Sequence, residues 1–105
     1  MPGELVASDM FGPLRSPSIK GARYIIAYRD VATGFLWLDP VCRKDDLAES
    51  FARLIRDSPI PIRIDEADMQ KRTIIQSDND GPYHSLAFRE QLRHFNCLFL
   101  SEILA

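Results

Sequence analysis

Thr73-Ile74-Ile75-Gln76-Ser77-Asp78-Asn79-Asp80-Gly81 is the stretch on which the fold turns. Its first five residues are β-rich and do not alternate polar with apolar, the pattern of a strand buried on both faces. The strand stops at the turn formers Asn79-Asp80-Gly81-Pro82, so Asp78 is offered at its end. A second aspartate is placed the same way near the start of the chain. Leu5 to Phe11 reads as a short apolar strand broken by Gly12-Pro13, with Asp9 close to the break. Two carboxylates presented from strand ends are what a divalent-metal phosphoryl-transfer site requires.

The residues between these stretches supply the other elements. Residues 14 to 21 form a loop by their Pro, Ser and Gly content. Ala22 to Asp30, with Tyr24, Ile25, Ile26 and Tyr28, reads as a second strand. Val31 to Gly34 is a turn, and Phe35 to Val41 is a third strand, so a β-hairpin joins the two. The period then changes: Leu47, Phe51, Leu54 and Ile55 fall on one face of a helix spanning Asp46 to Arg56, with Asp46 and Glu49 spaced as a capping box. Ser58-Pro59 and Pro61 end it. Residues 59 to 72, with Asp65, Glu66 and Asp68, read as a connection. Ser85 caps a second helix with Phe88, Leu92 and Phe95 on one face, and Cys97 to Leu100 is a last apolar strand. The order β-β-β-α-β-α-β implies an α/β fold with a mixed sheet and helices on its faces.

Composition bounds the function. The chain has 105 residues, 46% of them hydrophobic, which suits one small folded domain over residues 1–105. The net charge of −2 gives no global positive field for nucleic acid, although a metal site must itself be acidic. No run approaches the ~18–20 apolar residues of a membrane span, and Met1-Pro2-Gly3-Glu4 does not open like a secretory signal. No membrane partner is expected, and the expected location is intracellular. Cys42 and Cys97 lie outside metal-ligand spacing and read as reduced thiols on the core side, with a disulfide or zinc site as the alternative.

Across nearly its whole length the chain resembles the catalytic core of retroviral and LTR-retrotransposon integrases, a ribonuclease-H-like domain. Five elements in order carry the resemblance: Asp9 with Gly12-Pro13; Gly21-Ala22-Arg23-Tyr24-Ile25-Ile26 running to Asp30; Phe35 to Lys44; Ser77-Asp78-Asn79; and Tyr83, Ser85 and Phe88. Asp80 stands where that signature usually has glycine, and Pro82 where glutamate is frequent. The resemblance implies Asp9 and Asp78 as catalytic metal ligands and Mg²⁺ or Mn²⁺ as cofactor. It also implies retroelement ends and target DNA as partners, and a nuclear site of action. The family's third acid, a glutamate on a later helix, would fall beyond Ala105. Glu90 and Glu102 come too early for that spacing, so the chain reads as a C-terminally truncated core with little or no turnover. Without the family's later helices, one sheet face should expose apolar surface and favour homodimers or self-association. A non-catalytic dimerisation module and a structure-specific nuclease are the rival readings.

The remaining candidates have two readings each. Arg15, Lys20 and Arg23, around the loop after the first strand, are either DNA-backbone contacts or solvated charges. Asn79 and His84 lie close to Asp78, and His84 is either a phosphate contact or a surface turn residue; His94 reads as a surface residue. Asp30, Asp39 and Asp80 read as solvated turn or cap residues. Trp37 reads as core.

Overall fold

The computed structural model describes residues 3–15, 21–60, 73–77, 81–95 and 97–101. The fold is α/β: a five-stranded mixed sheet with two helices, compatible with a ribonuclease-H-like arrangement. The strands are β1 (Leu5–Phe11), β2 (Tyr24–Asp30), β3 (Leu36–Val41), β4 (Ile74–Ser77) and β5 (Leu98–Ser101). The helices are α1 (Leu47–Asp57) and α2 (Leu86–His94), and short 3₁₀ turns run over Lys44–Asp46 and Gly81–His84.

The spatial order is β3-β2-β1-β4-β5. The first three strands form an antiparallel meander, with Ser8 opposite Tyr28 and Tyr28 opposite Trp37. Beyond it, β4 runs parallel to β1 and β5 parallel to β4. Residues 12–23 and 31–35 link the antiparallel strands of the meander, whereas the parallel pairs need crossovers, and α2 serves that role between β4 and β5.

Strand alternation assigns every side chain to one of two faces. Val6, Ser8, Ile26, Tyr28, Asp39, Val41, Ile75 and Ser77 turn to the helix-covered face and are buried. Phe51 and Leu54 of α1 and Phe88 and Leu92 of α2 close over them. Phe88 sits at the centre of an aromatic cluster, its ring 5.6 Å from Phe51, 5.4 Å from Tyr83 and 6.0 Å from Phe99, each nearly edge-on, the geometry that aromatic quadrupoles favour. Hydroxyl pairs fasten the layers: Tyr28 Oη lies 2.8 Å from Ser50 Oγ on α1, and Ser8 Oγ lies 2.9 Å from Tyr83 Oη. Trp37 packs half-buried against Tyr28.

The second face has no covering layer among the described residues. Phe11, Leu36 and Leu38 are each more than half exposed, and Leu98 and Leu100 are exposed on β5 at the opposite edge of the same face. This corrects the expectation for the strand that opened the reading. In β4, Ile75 and Ser77 are buried while Ile74 and Gln76 are only half-buried, because an apolar run alone does not say whether a layer lies on its second side.

Local chemistry sets the element ends. Ser85 Oγ accepts the Phe88 N–H at 3.2 Å, the expected cap of α2. Asp46 does not cap α1 with its side chain; its carboxylate accepts the Arg43 N–H at 3.0 Å and closes the preceding 3₁₀ turn instead. The connection 61–72 lies outside the described residues.

Candidate functional site

Asp9 sits near the C-terminal end of β1, and alternation turns its side chain away from the helices onto the open face. It is exposed, and its Oδ1 accepts the Met10 N–H at 2.9 Å. Its second oxygen has no protein partner among the described residues. Next to it is an open hollow of about 280 Å³, lined by Ala7, Asp9, Phe11, Ala27, Arg29 and Leu36. The hollow exists because Ala7 and Ala27 are small and no helix among the described residues covers this face.

The neighbouring strand arrives at the same end. Leu5, Val6 and Ala7 of β1 lie opposite Ile74, Ile75 and Gln76 of β4, in parallel. Both strands therefore point their carboxyl ends the same way, and β4 closes with Ser77, the residue that precedes Asp78 in sequence. In α/β sheets the carboxyl ends of parallel strands are where ligands gather, since loops leave there and backbone groups are free. Asp78, Asn79 and Lys20 lie outside the described residues. Among the described residues, no three His, Cys, Asp or Glu side chains converge on one point. The donor on view fits a hard divalent cation: an exposed carboxylate with a spare oxygen, on an open surface.

The other candidates separate. Arg15 and Arg23 are both exposed at this end of the sheet, brought together by the Leu14 N–H donating to the Arg23 carbonyl at 2.7 Å. His84 is exposed in the 3₁₀ turn, and its Nδ1 accepts from Arg89 Nη2 at 3.0 Å. That bond makes Nδ1 the unprotonated nitrogen and ties His84 to α2 rather than to the hollow. Glu90 is exposed on α2, across the sheet from Asp9. His94 is exposed, as expected.

Three readings are corrected. Asp39 is not a solvated turn residue: it is 9% exposed on the helix face, where Arg53 of α1 donates from Nε and Nη2 to Oδ2 at 3.1 and 2.9 Å. Asp30 does act as a cap, but a buried one, accepting from the Gly3 and Ala32 N–H groups and from Thr33 Oγ1. Cys97 is buried as expected, whereas Cys42 is exposed, because it follows the inward Val41 and so turns outward. Neither is joined in a disulfide among the described residues. Asp80 lies outside the described residues.

Sequence reasoning overlooked Arg29. With the terminal Asp30 it is one of two charges in an otherwise apolar and aromatic strand, which was a signal, but only the register shows that it shares a face with Asp9.

Comparison with known proteins adds an origin. No protein-family model matches the chain. Over 87 residues it is 29% identical to the Retrovirus-related Pol polyprotein from transposon TNT 1-94 of Nicotiana tabacum, a match that covers 83% of this chain. The chain spans 6% of the length of that polyprotein. The likeness supports a retroelement origin for this chain.

Proposed function

We propose that the chain is an integrase-like catalytic core from an LTR-type retroelement, with a ribonuclease-H-like fold, in which Asp9 and Asp78 hold Mg²⁺ or Mn²⁺. The observation that carries this reading is the exposed Asp9 carboxylate on the open face of β1, with β4 parallel beside it and ending one residue before Asp78. Asp78 follows Ser77 directly in sequence, and the reading requires its carboxylate to meet that of Asp9. The Pol polyprotein likeness supports the same origin.

Asp9 and Asp78 would hold such ions, which would supply activation of the attacking hydroxyl and stabilisation of the leaving oxygen of a phosphodiester. The chain's own part would be to hold them by the Asp9 and Asp78 carboxylates and to leave the face open to DNA. Water or a DNA 3′-hydroxyl would be the nucleophile, element ends and target DNA the substrates, and the nucleus the place of action. No residue of this sequence is assigned the third acid: Glu90 is on the wrong side of the sheet, and Glu102 lies outside the described residues.

Thermal unfolding with added Mg²⁺ or Mn²⁺ tests the reading. At a hundredfold excess over Kd, binding adds about 2.7 kcal/mol, which raises Tm of a chain this size by at least about 10 °C. Wild type should respond, and Asp9→Asn and Asp78→Asn should not. Equal responses from all three would remove the metal site.

A second reading has its own observation. The uncovered apolar face of Phe11, Leu36, Leu38, Leu98 and Leu100 suits a non-catalytic module that dimerises or scaffolds. It calls for concentration-dependent self-association in sedimentation, whether or not metal is bound.

A further inference from the structure

Asp9 shares its hollow with one cation. Arg29 lies on the same face of β2, where its cross-strand partners are Ala7 on one side and Leu36 on the other. Neither neighbour can pair with it, and Arg29 makes no ion pair among the described residues. The nearest acid in register is Asp9, on the diagonal, since Asp9 lies opposite Ala27. Diagonal neighbours of this kind sit ~7–8 Å apart, too far for a direct ion pair without both side chains leaning together. Asp9 already directs Oδ1 to the Met10 N–H at 2.9 Å. The guanidinium therefore borders the roughly 280 Å³ hollow from the side away from the strand ends, with alanines leaving room before it.

Taking the Asp9 cavity as a phosphodiester site, on which this step rests, we infer that Arg29 grips a phosphate of the nucleic-acid backbone in that hollow. A site built on carboxylates repels a phosphodiester at close range. A guanidinium at the far side of the hollow offsets that repulsion, and its planar fork matches two phosphate oxygens at once. The contact is independent of metal, because it needs only the hollow and the charge. Arg29 is thus a positioning residue: it sets where the backbone lies relative to Asp9.

The test is a nitrogen-proton NMR titration of the whole chain with a short DNA duplex at low salt in EDTA. In wild type, the Arg29 side-chain Nε–H and the backbone amides of Ala7, Asp9 and Ala27 should shift along one curve. Arg29→Gln should weaken binding roughly fivefold to tenfold and lower the salt slope by about 0.9. Arg29→Lys should restore part of the affinity, and Arg93→Gln, on the helix side, should change nothing at the hollow. Unchanged affinity in Arg29→Gln overturns this inference while leaving the metal site to stand or fall on the thermal test. No shift at the hollow in wild type overturns it as well. If Arg29→Gln binds DNA as tightly but alters sedimentation, Arg29 belongs to a protein contact and the phosphate assignment is wrong.

Discussion

Replacing Tyr28 by Phe should make stability less sensitive to alkali, with the sign of the effect reversing along the pH axis. Tyr28 is fully buried on β2, directly opposite Ser8, and its hydroxyl meets Ser50 Oγ at 2.8 Å. Burial pushes the phenol well above its ordinary range, the Ser50 hydrogen bond opposing only in part. At neutral pH the substitution keeps the ring against Trp37 but leaves the buried Ser50 hydroxyl without this partner, a loss of about 1 kcal/mol. In the unfolded chain the phenol ionises near pH 10, whereas in the folded chain it stays protonated. Above about pH 10 the unfolded state therefore binds fewer protons, and wild type loses stability by up to about 1.4 kcal/mol per pH unit on this account. The variant has no such group. The Tyr28 contribution lost by wild type reaches about 1.4 kcal/mol near pH 11, so the two stability curves should cross between about pH 10 and 11. Urea unfolding of both proteins from neutral pH upward measures this, because the other titrating groups cancel in the difference. Parallel curves would falsify the claim that Tyr28 is held neutral under α1.

Other outcomes follow from the same structure. Leu36→Thr and Leu38→Thr, on the open face, should each change unfolding free energy by less than about 0.5 kcal/mol, whereas Leu54→Ala, fully buried under the other face, should cost about 2–5 kcal/mol; comparable losses from all three in urea would mean that the open face is covered. The two threonine variants together should also weaken self-association in sedimentation. Arg53→Met should destabilise by about 1–2 kcal/mol, because it strands the buried Asp39 carboxylate, and by less than a fully buried pair because Arg53 is 32% exposed; addition of Asp39→Asn should recover most of the loss. Gly12→Ala should destabilise by about 1–3 kcal/mol, since φ is +131° there and a Cβ would stand 2.7 Å from the Arg23 carbonyl oxygen; an unchanged midpoint in thermal unfolding would contradict that geometry.

The elements that obey a single local rule were legible in the sequence. β1 has the bounds its apolar run suggested, and Ser85 caps α2 through the expected hydrogen bond. The buried stripe Leu47, Phe51, Leu54 of α1 follows from helical spacing. What could not be read depends on partners remote in sequence. Asp39 precedes a proline and looks like a turn acid, yet its place opposite Ile26 puts it under α1 and beside Arg53. Cys42 changes side with one step of alternation after Val41. β4 is apolar enough for a strand covered twice, but among the described residues it is covered once, because hydrophobicity records a tolerance for burial and not the presence of a second layer. Of the candidate site, the strand-end position of Asp9 was legible, whereas the place of Arg29 on the same face needed the β1–β2 register.

The proposed sharing of one cation by Asp9 and Asp78 can be tested at the two carboxylates themselves. The side-chain carboxylate carbons of the two aspartates are followed by NMR as Mg²⁺ is added, with Asp9→Asn and Asp78→Asn supplying the assignments. Both signals should move along one binding curve, and either substitution should abolish the response at the other aspartate. Movement of only one carboxylate, or two independent curves that survive the substitutions, would contradict a common metal site.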